Sequence, residues 1–267
     1  MSLVAVVKGP EGVVLGADTR LTLTVTDPNG SRRDVNYDNA TKFLTFPRSV
    51  SGVHVAAVTY GNAIIDERSV PSYTPEIEMQ MEPLPQTVEQ YAVYISEFFQ
   101  NKWDQISSKS PNSLQGSITI IVGGYDSNKP HGSVYDFTIP QNPLPRQHYE
   151  GGFGMRWGGQ LNIANRIIFG FDPDLIAVIR NELSVPPDKA QTLLDAARSR
   201  LEYAIPYRML PLQDCIDLVT FLIRTTITAQ SLSTGMRGVG GAIEVASITR
   251  TGGFAWVQKR DMRGERR

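Results

Sequence analysis

The chain has 267 residues, 41% apolar and 20% charged, with 26 Lys and Arg against 27 Asp and Glu for a net charge of −1. That balance gives no reason to expect nucleic acid or a membrane as partner, and no stretch reaches the roughly eighteen apolar residues of a membrane-spanning helix. A single cysteine, Cys215, excludes an internal disulfide and a cysteine zinc cluster, and His54, His131 and His148 lie too far apart for metal-ligand spacing. No positively charged segment precedes the first apolar run, so no secretory leader is expected. The chain reads as a soluble cytoplasmic protein with no metal or cofactor.

The first sixty residues read as strands. In VAVVKGPEGVVLGAD two apolar runs flank a Gly-Pro-Glu-Gly turn, a hairpin signal. LTLTVT alternates at period two, DPNGSRRD reads as a charged loop tip, and TKFLTF and VHVAAVTY read as further strands. NAIIDERSV reads as a short helix, and PSYTPEIEMQMEPLP, with four prolines, as a loop insertion at 71–86. In TVEQYAVYISEFFQNKWDQI apolar residues recur at three-four spacing from Val88 to Trp103, which predicts a helix. Strands return in SITIIVGGYD and SVYDFTIP, and a proline-rich loop leads to GGFGMRWGG. A helical block follows, ending in LQDCIDLVTFLIRTTITAQ, where Cys215 reads as a packing residue. GAIEVASITR and GFAWVQK are the last strands.

No repeat and no linker interrupts the chain, which reads as one domain over 1–258 with a basic, disordered tail over 259–267. Strand and helix groups in this order give the α+β class. Were the early and middle strand sets to face each other, helices could cover both outer sides in a four-layer αββα sandwich.

From Ser2 through GVVLGADTR the chain resembles the N-terminal segment of proteasome β-type subunits, bacterial or archaeal, which are N-terminal-nucleophile hydrolases. NATKFLTF resembles the strand bearing that family's lysine, VAAVTYGNAIID the strand and turn before its first helix, and GGAIEVASITRTGG its late strand pair. The resemblance implies the αββα fold, a homo-oligomeric ring or stack, a peptide or protein substrate, and an ATP-dependent unfoldase as partner. It also implies Ser2 as nucleophile once Met1 is removed, Lys42 as its electrostatic partner, Asp18 as the anchor of Lys42, and Arg20 in support. Gly61 is the candidate oxyanion donor, and Tyr60 and Asn62 are pocket neighbours. The chemistry is coherent. A serine hydroxyl needs a base, and an α-amine with a pKa of about 7.7–8.0 on the same residue supplies one.

Taken singly, these residues have plainer readings. Ser2 can be a small residue after an initiator, Asp18 a turn cap or a partner of Arg20, Lys42 a solvated strand residue, and Gly61 a turn glycine. Three features depart from the family. Trp157-Gly158-Gly159 stands in place of a Gly-Ser-Gly element. Met236-Arg237-Gly238-Val239-Gly240-Gly241 stands where the family carries an aspartate and a serine, with Ser233 and Thr234 out of register. The nucleophile is serine rather than threonine. Two further readings therefore stand beside a serine hydrolase working through an acyl-enzyme: a non-catalytic scaffold subunit, and an amidase or peptide ligase on the same scaffold.

Overall fold

This computed structural model describes residues 2–27, 29–48, 52–109, 116–235, 237–262 and 264. Strand β1 (Leu3–Lys8) turns back into β2 (Gly12–Asp18), and Gly9 N–H donates to the Gly12 carbonyl at 2.9 Å to close the hairpin. A separate hairpin follows, β3 (Leu21–Thr26) with β4 (Arg32–Tyr37). The segment that reads as a charged loop tip therefore supplies the start of a strand. Thr22–Asn36 and Thr24–Asp34 side-chain hydrogen bonds, both 2.7 Å, couple the pair. Next come β5 (Phe43–Thr45) and β6 (His54–Gly61).

Three local expectations are corrected. NAIIDERSV forms not a helix but a minimal hairpin, β7 (Ile64–Ile65) with β8 (Arg68–Ser69). Asp66 and Glu67 both take positive φ, 49° and 63°, as a two-residue turn between twisted strands requires. No glycine marks the spot, so the sequence carries no turn signal. The proline-rich 71–86 segment opens with a 3₁₀ turn, Val70–Tyr73, and helix α1 (Thr74–Gln80). Pro71 and Pro75 each fall at the start of a turn, where a missing N–H leaves nothing unpaired.

Helix α2 (Val88–Lys109) forms as its spacing predicts, followed by β9 (Ile118–Tyr125), β10 (Ser133–Ile139), β11 (Asn142–His148) and β12 (Gly154–Gly159). β11 is the third correction: it reads as a proline-rich loop but is an edge strand, the sheet position where Pro143 and Pro145 remove no inner ladder bond. The helical block comprises α3 (Asn162–Phe169), α4 (Asp174–Glu182), α5 (Pro187–Leu201) and α6 (Leu212–Ser231), before β13 (Ile243–Thr249) and β14 (Gly253–Gln258).

The class is α+β, with two antiparallel five-stranded sheets ordered β12-β1-β2-β13-β14 and β11-β10-β9-β6-β5. The core explains why the first apolar run is continuous rather than alternating. Leu3, Ala5 and Val7 pack with Ala164 of α3 and Val219 and Ile223 of α6. Val4 and Val6, from the other face of the same strand, meet Ala56, Val58 and Ile121 of the second sheet. On that sheet's far side Tyr91, Ile95 and Phe99 of α2 pack over Ile120, Val122 and Tyr135.

A large aliphatic side chain gains about 1.5–3 kcal/mol on full burial, which offsets the roughly 1–2 kcal/mol of ordering its backbone. Leu3, Val4, Val6 and Val7 are all fully buried, so a segment that ordinarily frays is fixed in the middle of a sheet. No helix among the described residues is long and apolar enough to cross a membrane.

Candidate active site

Asp18 ends β2 with 0% exposure, and its carboxylate has four donors. Oδ1 accepts from Leu3 N–H at 2.9 Å and from Lys42 Nζ. Oδ2 accepts from Gly240 N–H at 3.0 Å and Arg20 N–H at 3.2 Å. One carboxylate thus ties the residue after Ser2 to Lys42 and to the approach to β13. A buried carboxylate is tolerated when it is paired and fully hydrogen-bonded, as this one is.

Lys42 lies 24 residues from Asp18 in sequence, and the β3–β4 hairpin accounts for the gap. The chain leaves the sheet after Asp18, runs out and back, and Ala40 N–H rejoins the Thr19 carbonyl at 2.9 Å. Arg20 clamps the base of the hairpin: Nε and Nη2 reach Asp38 Oδ1 and Oδ2 at 2.6 and 2.8 Å, and Nη1 reaches the Arg237 carbonyl at 2.9 Å. The guanidinium of Arg20 is therefore the partner of Asp38, and only its backbone N–H touches Asp18. Lys42 is 4% exposed, which removes the reading of a solvated strand lysine. Burial pushes its pKa below the ordinary lysine value, and the charge and hydrogen bond of Asp18 oppose that fall.

Ser2 is 4% exposed, and its carbonyl accepts from Gln160 N–H at 2.7 Å. The Trp157-Gly158-Gly159 element packs directly on this residue. A Cβ on Gly159, whose φ is +107°, would lie 1.9 Å from the Ser2 carbonyl oxygen, and one on Gly158 would lie 2.2 Å from the Tyr60 ring. Behind them Gln230 Nε2 donates to Gln160 Oε1, while Gln230 Oε1 accepts from Val239 N–H at 2.9 Å.

Ser2, Lys42, Tyr60, Gly61 and Asn62 line one small pocket together with Leu21 and Pro71. Burial raises the Tyr60 phenol above its usual pKa, so it stays a neutral hydroxyl. Gly61 ends β6 with φ +93°. Thr59 N–H donates to the Lys42 carbonyl at 3.0 Å, and strand alternation turns the Gly61 N–H toward that same edge, beyond the start of β5.

In the late glycine element, Met236 lies outside the described residues, as does Met1. Backbone groups meet the site there: Gly240 N–H on Asp18 and the Arg237 carbonyl on Arg20. Sequence reasoning missed Asp38, the Gln160–Gln230 pair and Glu244. Glu244 is 2% exposed and accepts from Thr41 Oγ1 at 2.8 Å; a lone charge in the apolar run AIEVASI is the signal that could have found it. Cys215 is buried against Gly9, and burial pushes its thiol up to about 11, which suits packing rather than nucleophilic chemistry.

No protein-family model matches the chain, and no curated protein matches it. Solved structures do. The helical assembly of the Anbu complex from Pseudomonas aeruginosa aligns with TM-score 0.57 and 14% identity over 98% of this chain and 88% of that one. The Gly-1 mutant of Anbu from Hyphomicrobium sp. strain MC1 aligns with TM-score 0.56 and 10% identity over 97% and 86%. Anbu, described as an ancestral beta-subunit, from Yersinia bercovieri aligns with TM-score 0.52 and 12% identity over 97% and 88%. These comparisons correct the resemblance to proteasome β-type subunits: the matching folds are Anbu, a distinct proteasome-related lineage. At such identities the likeness concerns the fold.

Proposed function

We propose that the chain is a subunit of a homo-oligomeric assembly, built as one αββα domain over residues 1–258, and that Ser2 is a hydrolytic nucleophile for peptide or amide bonds. Assembly is supported by the Anbu fold likeness, one member of which is a helical assembly, and by the surface of the helical block. Helix α4 buries none of its residues, and Leu175, Val178 and Leu183 are exposed on and beside it.

The observation that carries the chemistry is the buried Asp18–Lys42 pair, bonded to the amide of the residue that follows Ser2 and opening on the pocket beside it. In this reading removal of Met1 frees the Ser2 amine. The neutral amine takes the proton of the hydroxyl, and Oγ attacks the substrate carbonyl carbon. The Lys42 ammonium stabilises the alkoxide, and the Gly61 N–H faces the oxygen that gains charge. The ammonium of Ser2 then gives its proton to the departing nitrogen as the C–N bond breaks. Water, deprotonated by the same amine, cleaves the ester and restores Ser2.

A second reading, a scaffold subunit without chemistry, has its own observation: backbone groups of Arg237 and Gly240, rather than an aspartate and a serine, meet the site. Turnover of peptide and small amide substrates by the wild type and by Ser2→Ala separates the two. Activity lost in Ser2→Ala supports the enzyme, and equal inactivity supports the scaffold. Native mass spectrometry of both tests assembly in either case.

A further inference from the structure

A buried carboxylate that the proposed chemistry does not use lies next to Lys42. Glu244 stands on β13 opposite Ala17 of β2. Its neighbours Ile243 and Val245 pack on the helix side of the sheet, so alternation turns Glu244 toward the second sheet. There it accepts the Thr41 hydroxyl at 2.8 Å, and Thr41 directly precedes Lys42. The contact crosses from one sheet to the segment entering the other, at the nucleophile end. With 2% exposure it is shielded from screening by solvent.

We propose that Glu244 is a positioning residue for Lys42: through Thr41 it fixes the backbone from which the lysine reaches Asp18, and it supplies a second buried negative charge beside the ammonium. This rests on the reading of Ser2 as nucleophile only for its catalytic consequence; the structural coupling to Lys42 stands apart from it. The charges acting on Lys42 are Asp18 at the end of β2, Glu244 on β13 and Arg20 in the segment after β2. The first two hold its proton on, while Arg20 and burial push it off. The α-amine of Ser2 joins them once freed. The two carboxylates oppose the effect of burial and favour the ammonium, the form that the proposed chemistry needs while the Ser2 amine is a neutral base.

The test uses the full-length protein with Glu244→Gln and Thr41→Val. Gln keeps the shape and an acceptor for Thr41 but removes the charge; Val keeps the charge but removes the bond. The Lys42 side-chain titration is followed by NMR with ¹³C-labelled lysine, and Ser2 labelling by a hydroxyl-directed electrophile is followed by intact mass against pH. Glu244→Gln is expected to lower the Lys42 midpoint by about one pH unit, to move the alkaline limb of labelling down with it, and to slow labelling about tenfold at neutral pH. Thr41→Val is expected to slow labelling without moving the limb. An unchanged Lys42 titration in Glu244→Gln overturns the inference. A shifted titration in a protein whose Ser2 never labels upholds it and overturns the nucleophile instead.

Discussion

Asp18 and Lys42 illustrate how burial turns an ordinary pair into a demanding one. An exposed lysine and aspartate contribute about 0–1 kcal/mol, whereas removing one partner of a buried pair costs about 3–5 kcal/mol because the other charge stays desolvated. Asp18→Asn should therefore destabilise the protein by about 3–5 kcal/mol at neutral pH, as read by denaturant unfolding. The pH dependence has a definite sign. The folded pKa of Lys42 lies below its unfolded value, so the unfolded chain binds more protons between the two. This group's contribution to stability rises with pH through that window and falls as pH drops through the folded pKa. Removing Asp18 moves the folded value lower still, so the deficit of Asp18→Asn should shrink as pH rises toward the ordinary lysine value. Lys42→Met leaves Asp18 its three backbone donors and should cost less stability, yet slow Ser2 labelling by about 100-fold or more. The pairing of Asp18 with Lys42 was legible from two separate segments, GVVLGADTR and NATKFLTF. Glu244 and the Gln160–Gln230 pair were not, because their meaning depends on which strands face each other.

Among the elements, those with strong periodicity were legible and those made by prolines or unusual turns were not. β1, β2, β6 and α2 follow their patterns, whereas β11, the β7–β8 hairpin and α1 defeat them. A proline is read as a breaker unless its place at an edge or in a first turn is known, and that place is a property of the fold. The tandem Gly158-Gly159 shows the same dependence, since only the pairing of β1 with β12 puts Gly159 opposite Leu3 and against Ser2. Gly159→Ala, with its Cβ directed at the Ser2 carbonyl, should displace the first strand and abolish labelling, with loss of cooperative unfolding as a second readout. At the base of the β3–β4 hairpin, Asp38→Ala frees the Arg20 guanidinium from a partly exposed bidentate pair. A stability loss of about 1 kcal/mol is expected there. The larger effect should be slower Ser2 labelling, because this hairpin returns Lys42 to Asp18.

The whole molecule presents Ser2 buried at the start of a sheet and an apolar helical surface left open. Such a surface on α4 and α5 costs little in an assembly that covers it and favours aggregation in a monomer. Val178→Asp combined with Leu183→Asp should leave thermal unfolding nearly unchanged but shift native mass spectra toward smaller species. The α+β class was legible from the order of strands and helices. The likeness to Anbu was not, because at 12–14% identity over 97–98% of the chain it is a likeness of arrangement rather than of sequence. The central claim is that Ser2 is a free, working N-terminal nucleophile. Its most direct test is the intact mass of the purified protein before and after a hydroxyl-directed electrophile, alongside Ser2→Ala. The account predicts a mass lacking Met1 and a single adduct that Ser2→Ala does not form. A retained Met1 with no adduct would contradict it and leave the scaffold reading in its place.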